Sequence, residues 1–479
     1  MRPSRLTRAA AFTCAVLLLS ACSTAAPSSD SDVRSTDGVL ADARRRPRTT
    51  TTLAPTTSAP STTAAPRPAT TSPAPTTTVA PPVAPNGPTT DADRCAQLRQ
   101  QATLNPARFH PSSTFNQPAA CIGVRADSAK WSSTWFNFAN YPSRTDASKR
   151  GHISVAFDAY STPVYSTEDA TTTVRVFTPS WGWGHNLGAN NVIPWNPSWE
   201  PAAGNDLEMM IVNPTTGVEY GLWLVQKVNW SSCFTLENLL AGWRAGVDLC
   251  VGAAGIGKNP DGSVSDHRNS SGFSQQAGRG MGNVLGMALL PTLDEIEKGS
   301  INHALNMETY ATMFGPACTP TQLSTSAAGV DCGYAVAPAS RLEWSSGPAA
   351  ECGSVAQQNT PVSRSKTVPE GMRFALDITD QQIETWLNGR GYTGAKRNTA
   401  RIFAVALRDY GWIISDTTCW ESSMAVEGVA NPKARERWAQ LGITTPASDG
   451  GSLLSGLITN EGMVRTLESP APDLYVNAF

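Results

Sequence analysis

Two acids, Asp206 and Glu208, stand two residues apart in a run that reads as a β-strand. Strand period two places them on one face with Met210 and Val212, about 7 Å apart along the chain. Carboxylates at that separation in a cleft bias one another's ionisation, so one keeps its proton while the other stays charged. Acid/base work on a glycosidic oxygen needs that division of roles. If Val212 pairs with Val218 across a five-residue loop, Tyr220 joins the carboxylate face, where it can orient a substrate. Trp223 then joins the apolar face with Leu207, Met209 and Ile211. His303 lies in Ile301-Asn302-His303-Ala304-Leu305, where alternation sets it beside Leu305 and Met307. It is either a core histidine with one hydrogen bond or a buried group tuning one of the acids.

Nine of the fourteen tryptophans fall between Trp131 and Trp243. An indole offers a broad apolar face and one donor, which suits stacking on sugar rings. Trp181, Trp183, Trp195 and Trp199, with His185 among them, sit in a segment of loop composition and are read as sugar contacts. The other tryptophans are read as core.

The elements that must position these groups are partly legible. Asp206 to Val212 and Val218 to Gln226 flank Asn213-Pro214-Thr215-Thr216-Gly217, a turn signal between two β-prone runs. Alternation predicts strands at His152 to Phe157 and Thr173 to Phe177, and again from Ile301 to Thr309. Thr292-Leu293-Asp294-Glu295 reads as a capping box opening a short helix that Gly299 closes. Helices are predicted over Asp380–Arg390 and Thr399–Tyr410, and a buried strand at Trp412-Ile413-Ile414-Ser415. The sum predicts a mainly β chain, a jelly-roll-like sandwich with a few peripheral helices.

Charged residues make up only 16% of the chain, with 37 Lys plus Arg against 39 Asp plus Glu. That balance gives no general attraction to nucleic acid, so no nucleic-acid partner is expected. Arg2, Arg5 and Arg8 precede an apolar run from Ala9 to Leu19, too short to span a bilayer and shaped like an export signal. Leu19-Ser20-Ala21-Cys22 resembles the lipobox of bacterial lipoproteins, which implies cleavage before Cys22 and its lipidation. Residues 22–92 form a linker dominated by Thr, Pro, Ala and Ser that cannot bury enough apolar surface to order itself. The folded part is therefore placed at 93–479, displayed from a membrane anchor.

Beyond the signal and the anchor, eight cysteines remain: Cys95, Cys121, Cys233, Cys250, Cys318, Cys332, Cys352 and Cys419. An even count in an exported chain predicts four disulfides, and pairing by nearness in sequence gives 95–121, 233–250, 318–332 and 352–419. There is no Cys-x-x-Cys, Gly-x-Ser-x-Gly or His-Glu-x-x-His. Gly252 to Asn259 nearly spells a phosphate loop but ends in Asn259 where a hydroxyl is needed. No metal or cofactor is expected.

Gly280 to Leu305, running from Gly-Met-Gly-Asn-Val-Leu through Glu-Ile-Glu-Lys-Gly to Asn-His-Ala-Leu, resembles a widespread group of secreted actinobacterial proteins. Asp206 to Trp223 is similar to that group's first hairpin. Ser113 to Pro118, Pro369-Glu370-Gly371-Met372-Arg373 and Ala406 to Gly411 match further signatures. The group carries a histidine where this chain has Glu208 and an acid where it has Asn302, so half of any paired-histidine site is changed here. The resemblance implies Asp206, Tyr220, Trp223 and His303 as positions of interest, and implies no reaction.

The expected function is cleavage of a cell-envelope or environmental polysaccharide by hydrolysis, with Asp206 and Glu208 as the acid/base pair. Two alternatives stand beside it. One is a glycan-binding or wall-docking module without turnover. The other is a lyase using His303 or Tyr220 as base, with Arg279 neutralising a uronate.

Overall fold

A strand that must bury both faces loses the polar–apolar alternation of a half-exposed one, and Met209-Met210-Ile211-Val212 is such a strand. In the computed structural model, residues 91–104, 113–141, 145–188, 190–225, 230–259, 261, 263–269, 275–276, 286–310, 312–343 and 364–470 are described. All lie in one unit, Pro81–Phe479. The export signal, Cys22, nearly all of the linker, Arg279 and Cys352 lie outside the described residues.

The strands form three sheets. The largest is mixed. It contains β1 (Ser154–Ala156), β11 (Leu305–Thr309), β12 (Arg373–Leu376), β13 (Trp412–Thr417), β14 (Ser423–Ala425) and β15 (Val464–Thr466), in the order β1-β14-β11-β13-β12-β15. The second runs β10-β9-β7-β6-β2: β10 (Gln275–Gln276), β9 (Ala253–Lys258), β7 (Glu219–Trp223), β6 (Met209–Val212) and β2 (Val164–Ser166), with β4 (Gly184–His185) also paired to β9. The third is β5 (Val192–Trp195), β3 (Thr172–Phe177) and β8 (Leu249–Cys250). The near-miss phosphate loop is thus strand β9, not a turn before a helix.

The helices are α1 (Asp91–Leu104), α2 (Ser128–Phe138), α3 (Leu236–Leu240), α4 (Gly286–Leu289), α5 (Leu293–Lys298), α6 (Pro320–Leu323), α7 (Asp380–Arg390), α8 (Gly394–Asp409), α9 (Pro432–Gln440) and α10 (Pro446–Ser452). None of the described helices is long and apolar enough to cross a membrane. The expected caps are in place: Thr292 with Glu295 opens α5, Gly299 closes it in the left-handed region, and Gly391 does the same for α7.

The chain is sheet-rich, yet its helices are more than peripheral. Trp131 and Trp135 of α2, Ile383 and Leu387 of α7, Phe403 and Leu407 of α8, and Trp438 of α9 share one core with Leu305, Met307, Phe374, Trp412 and Ile414 of the large sheet. Trp135 lies 4.8 Å from Trp412 and 6.0 Å from Phe374, ring centre to ring centre. Each such side chain contributes roughly 1.5–3 kcal/mol by leaving water.

A second core joins the two smaller sheets, with Tyr165, Val174, Val176, Ile193, Met209, Ile211, Leu222 and Ala254 among its members. Strand β6 links it to the large sheet. Its Met209 and Ile211 enter the second core, while Met210 packs with Phe115, Leu289, Ala304, Ile413 and Ala425. Three expected disulfides are present, Cys95–Cys121, Cys233–Cys250 and Cys318–Cys332. Cys419 is disulfide-bonded too.

Candidate functional site

The hairpin β6–β7 forms, but its details differ from the sequence expectation. Leu207 has a left-handed φ of 45°, which breaks the strand between the two acids. Asp206 is half-buried, and Glu208 is buried at the entrance to β6. The loop is one residue longer than expected: Val212 pairs with Glu219, and Ile211 with Tyr220. The Asn213 side-chain oxygen causes this by accepting from the N–H groups of both Thr215 and Thr216, while the Asn213 backbone N–H donates to the Val218 carbonyl. Shifting register by one exchanges the faces of a whole strand. Tyr220 therefore lies on the side of Ile211, against the second core, and not with the carboxylates. Its hydroxyl is pushed up by burial, which disfavours it as a base. Glu219 takes the buried face instead, and its Oε2 accepts from the Met287 N–H at the start of α4 at 3.2 Å.

His303 is fully buried. Its Nδ1 is 2.7 Å from the Ala304 carbonyl, and its Nε2 is 3.1 Å from Glu295 Oε1. Glu295 Oε2 meanwhile accepts from the N–H and hydroxyl of Thr292. The imidazole thus braces the capped start of α5 inside the protein and is not open to a bound ligand. Trp195 and Trp199 are corrected as well. Both are buried, 5.7 Å apart, with Trp199 stacked on Tyr165 at 4.9 Å.

Two of the expected sugar contacts do face water. Trp181 is 55% exposed and Trp183 47%. The Trp183 ring lies nearly parallel to that of Trp223, at 4.8 Å and 16°. The Trp223 indole N–H donates to Asp206 Oδ1 at 3.2 Å. The backbone beneath is drawn in closely: Gly252 donates to the Trp223 carbonyl, and Trp183 donates to the Gly252 carbonyl. A methyl on Gly252 would stand 2.6 Å from Trp223 Cε3, so only glycine lets the ring lie flat there. His185, exposed on β4, is held below the ordinary histidine value by partial desolvation and is neutral at neutral pH. These groups make an open aromatic surface with one carboxylate at its edge.

A second constellation lies at the carboxyl end of the parallel strands β11 and β13. Glu308 stands opposite Asp416, after a bulge at Met307/Glu308, and both are half-buried. Next to Asp416 is Glu370. Strand β12 pairs Arg373 with Ile413, and Gly371 donates to the Ile414 carbonyl, so continuing that register brings Glu370 alongside Asp416. Glu370 is completely buried, with the Glu343 backbone N–H and the Arg341 guanidinium as the groups that favour its charged form. Burial first, and then the Asp416 charge, raise its pKa well above the carboxylate range, while the nearby Arg341 opposes that rise. Arg341 itself faces Glu370, Asp416 and Glu343.

Neither period nor spacing marked this row, because its members are far apart in sequence. The only signal was the likeness of Pro369 to Arg373 to a shared signature. That segment also holds the fold together: the buried Arg373 guanidinium donates to the carbonyls of Thr114, Gln117 and Tyr410. It thereby joins three of the signature segments. Burial pulls its pKa down to about 9, so it stays charged at neutral pH. A cavity of about 220 Å³ opens beside it, lined by Arg125, Gly371, Met372 and Glu468 among others. Among the described residues, no group of three His, Cys, Asp or Glu side chains is placed to hold a metal ion.

Compared with protein-family models, with curated proteins and with solved structures, the chain matches none.

Proposed function

We propose that the chain is an exported, lipid-anchored protein of the cell surface whose folded part engages a cell-envelope or environmental polysaccharide through the Trp183–Trp223 surface. The observation that carries this reading is the pair of parallel indoles, one of them half-exposed, with Asp206 fixing the second. A sugar ring presents an apolar C–H face to such a surface and hydroxyls to the carboxylate beside it. Cys22 as the lipid site and 22–92 as the linker rest on the sequence alone, as does kinship with the secreted actinobacterial group. The finer architecture, a jelly-roll-like sandwich, is likewise our reading. Its support is the core to which both smaller sheets contribute buried side chains.

The test is co-sedimentation of the purified chain with cellulose, xylan, mannan, chitin and peptidoglycan. The reading expects retention on at least one of them. It fails if none retains the protein. Hydrolysis is a second reading, favoured by the carboxylate row of Glu308, Asp416 and Glu370.

A further inference from the structure

We propose that the cavity beside Arg373 binds a small monocarboxylic acid, whose carboxylate pairs with the Arg373 guanidinium while its apolar body fills the space beyond. The site shares no residue with the Trp183–Trp223 surface, and the proposal does not depend on the glycan reading.

Arg373 carries a positive charge into the interior, where it is 5% exposed. Every acceptor it has among the described residues is a neutral carbonyl. That of Tyr410 takes bonds from Nε and Nη2, that of Thr114 from Nη1 and that of Gln117 from Nη2. A guanidinium has five N–H bonds. These contacts use four, leaving one on Nη1 without an acceptor among the described residues. Other arginines near buried acids are paired: Arg175 with Asp248, and both Arg94 and Arg408 with Asp409. Arg373 breaks that pattern, since Tyr410 alone among the described groups is near enough to act on its charge. A charge left unpaired in the interior is strongly disfavoured, and carbonyls offset it only in part.

The cavity has room for the missing partner. Its lining includes Thr114 and Gln117, the residues whose carbonyls hold the outer nitrogens of the guanidinium. That places the charged end of Arg373 at the wall. The lining passes from exposed Gly123, Glu468 and Pro470 to buried Met372, Ile413 and Leu467, so the charge stands at the inner end. A cavity of about 150 Å³ holds benzene. The volume here, about 220 Å³, therefore takes a ring or short chain that carries one carboxylate.

Charge and lining set the class of ligand. One unpaired cation matches one negative charge, which favours a carboxylate over a dianionic phosphate. Ile122, Val336, Pro338, Met372, Ile413 and Leu467 offer apolar walls to the rest of the molecule. The other cation of the lining, Arg125, is already paired with Asp127 at 2.9 Å. Glu468, exposed at the rim, disfavours a second acid on the ligand.

Arg373→Met would strand three carbonyls, so the experiment varies the ligand and the rim. The purified full chain is titrated calorimetrically with benzoate, phenylacetate and hexanoate, each beside its neutral amide, and with inorganic phosphate. Gly123→Phe is the rim variant. A Cβ there meets Glu468 Oε2 at 2.6 Å, the far end of an exposed side chain that can turn away, so the fold tolerates the ring that covers the entrance. The expected result is binding of at least one acid, at least about tenfold tighter than its amide. Gly123→Phe should bind that acid at least about tenfold more weakly, with a thermal midpoint close to wild type. Failure of all three acids to bind overturns the proposal. So does an amide or phosphate that binds as tightly as the acids, and so does undiminished binding by Gly123→Phe. The comparison of acid with amide on wild type decides whatever the variant's stability.

Discussion

Trp223 and Asp206 are joined edge to edge: the indole N–H donates to the carboxylate at 3.2 Å while the ring lies flat beneath Trp183. One acid therefore sets the tilt of two aromatic faces through an acceptor oxygen. Asp206→Asn keeps an acceptor in place, so polysaccharide co-sedimentation should fall less than about threefold. Asp206→Ala removes it and should weaken retention about tenfold, the effect of one lost hydrogen bond to a charged group. An equal effect of the two substitutions would show that the charge, not the acceptor, is what matters.

Gly252 lets the two rings lie flat. Gly252→Ala places a methyl against Trp223 Cε3, an atom of a ring that can tilt away. The expected outcome is weaker retention on the polysaccharide with a thermal midpoint close to wild type. Unchanged retention would separate the ring geometry from binding.

Arg373 should matter to stability more than any charged residue near the hairpin. Arg373→Met strands the carbonyls of Thr114, Gln117 and Tyr410 in the interior. Each buried group left without its partner costs about 1–3 kcal/mol, so the loss should reach about 3–5 kcal/mol in urea unfolding. A loss below about 1 kcal/mol would contradict the role of this guanidinium as the junction of three segments.

Glu370 gives a signed pH prediction. Burial and the Asp416 charge raise its folded pKa, so the folded chain holds a proton that the unfolded chain releases above about pH 4.3. Its contribution to stability is complete below that value and is lost as pH rises toward the folded pKa. Arg341, Asp416 and the Glu343 backbone are the groups that face it. Glu370→Gln cannot titrate, so its unfolding midpoint should fall less than wild type between about pH 5 and about pH 8. Parallel curves for the two proteins would refute the buried proton.

What could be read from the amino-acid order was local. Capping residues placed α5 and α7, and cysteine order anticipated the three disulfides described. Helix α2 was not anticipated from the sequence, although Trp131 and Trp135 stand at the i, i+4 spacing of a helix face. The hairpin was visible but its register was not, since that depends on how Asn213 folds the loop. The one-residue difference moved Tyr220 away from the acids. His303 and the row Glu308–Asp416–Glu370 depend on long-range sheet pairing, which no spacing in sequence encodes.

The central claim, that sugar is held on the Trp183–Trp223 surface, is tested most directly by calorimetric titration of the full chain with soluble fragments of the polysaccharide that retains it. Wild type is compared with Trp183→Ala and Trp223→Ala, each checked for an unchanged thermal midpoint. The account predicts at least about tenfold weaker binding in each variant, about 1.4 kcal/mol. Wild-type affinity in both would contradict it.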